Sequence, residues 1–350
     1  MPDRFHGRGS KVNPPNRFER LHIEVSEEDL AEELPPVATE FYVDASRSIL
    51  AKNDSPDIPF NFSINPYRGC EHGCIYCYAR PSHEYLGFSA GVDFESKIIV
   101  KPDAADLLEE AFRSKSWTPQ VVALSGNTDP YQPIERRLEL TRRCLEMFLK
   151  YRNPVEIITK NHLITRDVDV LRELASLNLV RVRMSITTLD PTLASVMEPR
   201  ASTPSKRLEA LGILARNRIP AGVNAAPIIP GLNDEEIAAI LRESATRGAT
   251  SASYIVVRLP GAVEPLFVDW LRREFPDRAA KIVNRLRDMH SGRLNDSRFG
   301  TRMRGEGKMA KSVADLFRLA CKKYHLNEER IELSAEHFVH THSRQLRFFE

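Results

Sequence analysis

The chain has no apolar run approaching the ~18–20 residues that a membrane span needs. Its first residues, M-P-D-R-F-H-G-R-G-S, lack the apolar segment of a secretory signal. Those two absences predict a cytoplasmic protein with no membrane-embedded part. A strong charge of one sign is also missing: 50 Lys and Arg stand against 48 Asp and Glu, a formal net of +2, so the whole chain is no polycation. There is no repeat of solenoid length and no low-complexity block. With 42% hydrophobic and 28% charged residues, the composition is that of an ordinary globular protein and argues against global disorder. Cysteine is scarce, at five in 350 residues. In a cytoplasmic chain, cysteines that cluster point to metal binding or catalysis rather than to disulfides.

What is present is unevenly distributed. Three of the five cysteines fall in C-E-H-G-C-I-Y-C, residues 70 to 77, with no fourth nearby. The first twenty residues are basic and read as a tail, and E-V-S-E-E-D-L-A-E-E follows as an acidic run. Residues 271–311 carry twelve Lys and Arg against five Asp and Glu, a local net of +7 (12 − 5). That segment reads either as a solvated helical face or as a surface for phosphate-bearing partners such as nucleic acid.

From about residue 60, strand-like runs alternate with helical patterns. The strands are F-N-F-S-I, V-V-A-L-S, V-E-I-I-T, V-R-V-R-M-S-I, A-G-V-N-A-A-P-I-I and S-Y-I-V-V-R-L. Between them lie helical stretches, among them E-R-R-L-E-L-T-R-R-C-L-E-M-F-L, whose Leu138, Cys144, Leu145 and Phe148 recur near the 3.6 period. Thr203-Pro204 reads as an N-cap with proline at the first helical position, and Asn233 with Glu236 as a capping box. Six strands alternating with five helices predict an α/β fold with a parallel sheet. After residue 262 the pattern turns helical and ends in H-F-V-H-T-H-S-R-Q-L-R-F-F-E, where His337, His340 and His342 read as a solvated tail. The expected organisation is a tail and arm at 1–58, a core at 59–260 and a helical, basic extension at 261–350.

The unusual residues sit where strands end. The cysteines follow the first strand, S-G-N-T-D-P-Y-Q-P the second and T-K-N-H the third; S-I-T-T ends the fourth, and P-I-I-P-G-L-N-D follows the fifth. All are βα loops on the C-terminal edge of a parallel sheet, where such folds bind ligands.

Three readings of the thiols differ in what they require. A core helix would put Cys70, Cys74 and Cys77 on one face, but Gly69 and Gly73 would each cost roughly 1 kcal/mol in its interior. A structural zinc site wants four ligands; Cys144 and Cys321 lie in a predicted core helix and in the extension, which leaves His72. An iron–sulfur cluster held by three thiolates would keep one iron open for a substrate or cofactor.

The motif Cys70-x3-Cys74-x-Tyr76-Cys77 after the first strand resembles the signature of the radical S-adenosylmethionine (SAM) superfamily. N-P-Y-R-G-C-E-H-G-C-I-Y-C-Y-A-R is most similar to its spore photoproduct lyase-like, DNA-repair-photolyase-like bacterial branch, over about residues 60–260. The resemblance extends through G-N-T-D-P-Y-Q-P and F-G-T-R-M-R-G-E-G-K. It implies a partial (βα)6 barrel of TIM type with an N-terminal arm and a helical C-terminal extension. It also implies a [4Fe-4S] cluster on Cys70, Cys74 and Cys77, S-adenosyl-L-methionine on the open iron, and an electron donor such as flavodoxin or ferredoxin. Tyr76 is expected against the adenine, and Ser125, Gly126 and Asn127 near the SAM amino group. Lys160 is expected at the SAM carboxylate, Ser185 at the ribose or carboxylate, and P-I-I-P-G beneath the adenine. The implied activity is reductive SAM cleavage to a 5′-deoxyadenosyl radical that abstracts hydrogen from a substrate. A hydrogen-donor cysteine belongs near the end of strand two in such lyases; V-V-A-L-S-G has none. Tyr131 is the candidate substitute, or else a packed turn residue between Pro130 and Pro133. The competing reading is a zinc-bearing nucleic-acid-binding module without catalysis, which shares the thiols and the basic segment but gives no reason for five loops on one edge.

Overall fold

The computed structural model describes residues 7–18, 37–329 and 331–340. Six strands form its centre: β1 (Phe62–Ile64), β2 (Val122–Leu124), β3 (Val155–Thr159), β4 (Val180–Ser185), β5 (Ala221–Ile228) and β6 (Ser251–Val256). They lie side by side in sequence order, each parallel to the next. A short strand, Leu50–Lys52, pairs antiparallel with the outer side of β1. β6 and β1 do not pair, so the six strands make an open, partial (βα)6 barrel. This is the α/β fold that the alternation predicts.

Helices fill the crossovers in turn: α1 (Ala104–Arg113), α2 (Leu140–Tyr151), α3 (Val168–Ser176), α4 (Pro204–Arg216) and α5 (Ile237–Thr246). The strands supply every second residue to the layer beneath these helices. In β4, Val180, Val182 and Met184 enter the main core, while Arg181 and Arg183 turn the other way and bond Glu156. Cys144, Leu145 and Phe148 of α2 are completely buried in that core; full burial of a Leu or Phe side chain stabilises by about 1.5–3 kcal/mol.

Two local expectations are corrected. The helix expected without a break from Glu135 to Leu149 is interrupted at Glu139, which has φ +53°. The carboxylate of Glu135 accepts the backbone N–H of Thr141 at 3.0 Å and so caps α2 from the preceding turn. The Asn233–Glu236 capping box does not form. Asn233 instead accepts from Ile229 N and donates to Thr187 O and Pro227 O. Glu236 accepts from Thr188 and from Leu189 N, so both side chains tie the loop after β5 to the loop after β4.

Beyond the barrel come α6 (Val263–Glu274), α7 (Pro276–Met289) and α8 (Gly307–Lys323). Phe267 and Trp270 of α6 with Ile282 and Leu286 of α7 form a second apolar cluster, which also contains Ile75, Tyr76 and Ile229. α8 packs against α5 and buries Cys321. His337 and His340 are exposed. His342 and the acidic run at 24–33 lie outside the described residues. Among the described residues, no helix is long and apolar enough to cross a membrane.

Candidate active site

The cysteine loop leaves β1 and crosses the C-terminal edge of the barrel as a string of turns rather than as a helix. Gly73 takes φ +67°, a conformation that costs little only without a Cβ. Backbone bonds pin the loop on several sides: Cys70 N to Phe94 O at 2.9 Å, Ile75 N to Met197 O at 3.1 Å, and Arg200 N to His72 O at 3.2 Å. Cys70 and Cys74 are buried, Cys77 is partly so, and all three are free thiols. Burial pushes the Cys70 thiol up to about 12, with the charges of Asp129 and Cys77 adding to the effect. Burial raises Cys74 and Cys77 in the same way, and Cys70 and Cys77 both act on Cys74.

The underside of the loop is clamped by a buried ion pair that sequence reasoning missed. Arg80, completely buried, donates to the carbonyls of Gly73, Cys74, Ala90 and Gly91 and to the carboxylate of Glu95. Glu95 in turn accepts the backbone N–H groups of Arg8, Gly9 and Ser10 at 2.8, 2.9 and 2.7 Å. Residues 8–10 of the basic N-terminal segment therefore form a strap beneath the thiols. Gly9 meets the loop so closely that a Cβ there would collide with the carbonyl oxygen of Gly73. Nothing in G-R-G-S signals this role, because it depends on a carboxylate more than 80 residues away.

On the barrel side, Lys160 and Ser185 come together: Lys160 Nζ donates to Ser185 Oγ at 2.7 Å and lies 5.8 Å from the centre of the Tyr76 ring. Tyr76 donates its hydroxyl to Glu198, which is also bonded by Thr187 and by the buried Arg207 and lies 3.9 Å from Lys160 Nζ. Burial alone would raise the Glu198 carboxyl. The charges of Arg207 and Lys160 outweigh that and hold it at about 2, so it is ionised. Glu198 and Arg207 were not anticipated; neither E-P-R at 198–200 nor S-K-R-L at 205–208 has a distinctive pattern. Ile229 of P-I-I-P-G packs in the same apolar cluster as Tyr76.

The loop after β2 lies opposite. Ser125 Oγ bonds Thr128 O at 3.2 Å, the Gly126 carbonyl accepts from Tyr78 Oη at 2.6 Å, and Asn127 is exposed with its N–H on Asn65. Most of the holding is done by neighbours. Thr128 and Gln132 both donate to Gly69 O, and Gln132 accepts from Glu71 N. Asp129 accepts from Thr159 and from Lys160 N, fixing the β2 and β3 loops together.

Two other side chains have defined places. Tyr131 is completely buried in the main core, and its hydroxyl donates to Asp167 at 3.1 Å, the environment of a packed turn residue. His72 is buried with Nδ1 3.5 Å from Asp129 and Nε2 3.0 Å from the Asn161 amide, so both ring nitrogens have partners. Burial lowers its pKa, and this pairing suits a neutral ring protonated on Nδ1. Among the described residues, no group of three His, Cys, Asp or Glu could hold a single metal ion.

Residues 64–243 match the radical SAM superfamily. An uncharacterized protein of Mycobacterium tuberculosis is 35% identical over 235 residues, covering 67% of this chain and 68% of that protein. An uncharacterized protein of Methanocaldococcus jannaschii is 32% identical over 176 residues, covering 50% of this chain and 63% of that one. A mutant of spore photoproduct lyase superposes with a TM-score of 0.59 at 18% identity, covering 81% of this chain and 79% of the lyase. The lyase complexed with dinucleoside spore photoproduct superposes at 0.57, also at 18% identity. The chain belongs to the radical SAM superfamily. That family implies an enzyme with a [4Fe-4S] cluster and SAM, and its members generally need an electron donor.

Proposed function

We propose that Cys70, Cys74 and Cys77 hold a [4Fe-4S] cluster whose fourth iron is left for SAM, and that the chain acts on a nucleic-acid substrate by hydrogen abstraction, in the manner of a lyase. The observation that carries this reading is the chemistry of the donor set. Three free thiols, two buried and one partly so, share one loop, the imidazole of His72 between them has both nitrogens engaged, and among the described residues no group of three His, Cys, Asp or Glu suits a single ion. Burial disfavours thiolates at this place, so the set fits a strongly cationic, many-atom centre that would reverse the penalty.

When bound, the cluster and SAM would supply an electron and a 5′-deoxyadenosyl radical able to remove a substrate hydrogen. The chain's own residues have separable tasks. Lys160 offers a compact positive charge for the SAM carboxylate, held in line by Ser185. Tyr76, fixed by Glu198, presents its ring toward the same space and, with Ile229 in the same apolar cluster, suits the adenine. Ser125, Gly126 and Asn127 border the mouth from the β2 side, for the SAM amino group. The burial of Cys70 and Cys74 keeps water from the centre.

The nucleic-acid substrate is supported by the basic extension. Along α7 the apolar stripe of Ala279, Ile282, Leu286 and Met289 is buried, while Arg278, Lys281 and Arg287 are exposed. Phosphate contacts of that kind weaken steeply with salt. The test is anaerobic reconstitution with iron and sulfide, reduction, and EPR with and without SAM, with 5′-deoxyadenosine measured in the same sample. A [4Fe-4S]+ signal that shifts on adding SAM, with nucleoside formed, is expected. A colourless protein carrying stoichiometric zinc refutes the reading in favour of a non-catalytic module.

A further inference from the structure

The seam where the barrel fails to close carries a feature that cofactor binding does not use. β6 ends at Val256, whose N–H donates to Met303 O at 2.9 Å, so residues 299–304 run along the open edge. Asp57, from the turn before β1, accepts from Gly300 N and from Arg302 and ties that segment across the seam. Above this tie stands Arg258. It makes no hydrogen bond and no ion pair among the described residues, and its Nε is buried without a partner. Its guanidinium lies 5.8 Å from the ring centre of Tyr78, the residue after Cys77.

The neighbours extend the pattern. Tyr78 reaches across the mouth to the Gly126 carbonyl, yet is 50% exposed. Arg302 stacks 4.5 Å from the ring centre of Phe299, which is 58% exposed. The order Phe299, Arg302, Arg258, Tyr78 thus sets two guanidinium groups between two aromatic rings. Arg258, Arg302 and Arg304 stand against Asp57, a local net of +2 (3 − 1). Burial, and then the charge of Arg302, depress the Arg258 pKa by more than the charges of Tyr78 and Asp57 raise it. A half-buried, unpaired guanidinium is costly, and an anionic ligand would relieve it. A phosphodiester matches the planar fork of a guanidinium with two parallel bonds, and exposed rings beside it suit stacked bases.

We propose that Arg258 and Arg302, with the rings of Tyr78 and Phe299, form a subsite that grips a single-stranded nucleotide at the barrel seam, the phosphodiester on Arg258 and an adjoining base on an exposed ring. The proposal rests on the nucleic-acid reading given above and locates where that substrate meets the barrel.

The test uses full-length, anaerobically reconstituted protein and a 5′-fluorescein-labelled single-stranded 12-mer deoxyoligonucleotide, with anisotropy followed from low to moderate salt. The wild-type protein is expected to bind with a clear salt slope. Arg258→Gln is expected to reduce that slope by about 0.7, the share of one single-strand phosphate contact. Phe299→Ala is expected to weaken binding by about tenfold, the order of one lost stack, with the slope kept. Arg242→Gln removes the same charge from the exposed outer face of α5 and is expected to leave the slope unaltered. Thermal melts monitored by circular dichroism establish that each variant is folded. Wild-type protein that binds no oligonucleotide overturns the nucleic-acid reading and this subsite with it. Wild-type binding that Arg258→Gln and Phe299→Ala leave unchanged overturns the subsite alone. Arg258-dependent binding of a labelled poly-glutamate peptide in place of the oligonucleotide shows an anion site for a protein substrate and overturns the assignment. Loss of SAM affinity in Arg258→Gln, by equilibrium dialysis with oligonucleotide binding intact, assigns the guanidinium to the cofactor and also overturns it.

Discussion

Replacing Glu198 by Gln tests how the site is held together. Glu198 is completely buried, pairs with the equally buried Arg207, and accepts from Tyr76 and Thr187. Its carboxyl titrates at about 2 in the folded chain against 4.5 for an unperturbed Glu, a difference worth about 3 kcal/mol at neutral pH. Removing one member of a buried pair costs roughly 3–5 kcal/mol by an independent route, so the two estimates agree. In a chain of this size, ~2 °C per kcal/mol turns that into a melting temperature about 6 °C lower for Glu198→Gln at pH 7. Because the folded pKa is depressed, the contribution is complete above about pH 4.5 and is lost as pH falls toward 2. The gap between wild type and variant is therefore constant from pH 8 to 5 and narrows below 4.5. Trp270 provides a local probe, since its indole N–H donates to Val196 O at 3.1 Å, two residues from Glu198. Equal melting temperatures at pH 7, or a gap as wide at pH 3.5 as at pH 7, would refute the assignment of an ionised, stabilising Glu198.

Further outcomes follow from the same geometry. Glu95→Gln strips the counter-charge from Arg80 and weakens the grip on the first residues, so iron bound per chain after reconstitution falls and the cluster bleaches faster under trace oxygen; unchanged iron content and stability would contradict the clamp. Lys160→Met removes a charged donor and raises the SAM dissociation constant about 10- to 100-fold by equilibrium dialysis, the order of a charge-assisted bond. Cys77→Ala abolishes the brown absorbance, whereas Cys144→Ala, in the core of α2, keeps it and costs only stability.

Much of the scaffold was legible because its signals are local. β-branched runs such as V-E-I-I-T and V-R-V-R-M-S-I become β3 and β4, and the loops that follow them converge as parallel topology requires. Lys160 and Ser185 are brought into contact from strand-end positions alone. Reading failed where one side chain serves a distant backbone. Glu135 caps α2 across what looked like one helix, and Asn233 bonds Ile229, Thr187 and Pro227 rather than its own helix end. Glu95, Arg80, Glu198 and Arg207 are ordinary charged residues in the text of the chain. Their importance comes from being buried together, which no periodicity encodes.

The strap beneath the cysteines has a consequence for how the protein can be watched. Amides near a chain end usually exchange with solvent in the fastest class. Those of Arg8, Gly9 and Ser10 are donated to a carboxylate that is 1% exposed, which places them among the slowest as long as the clamp is closed. Deuterium uptake at these three amides therefore records, from the opposite side of the loop, how often the thiol-bearing turn opens.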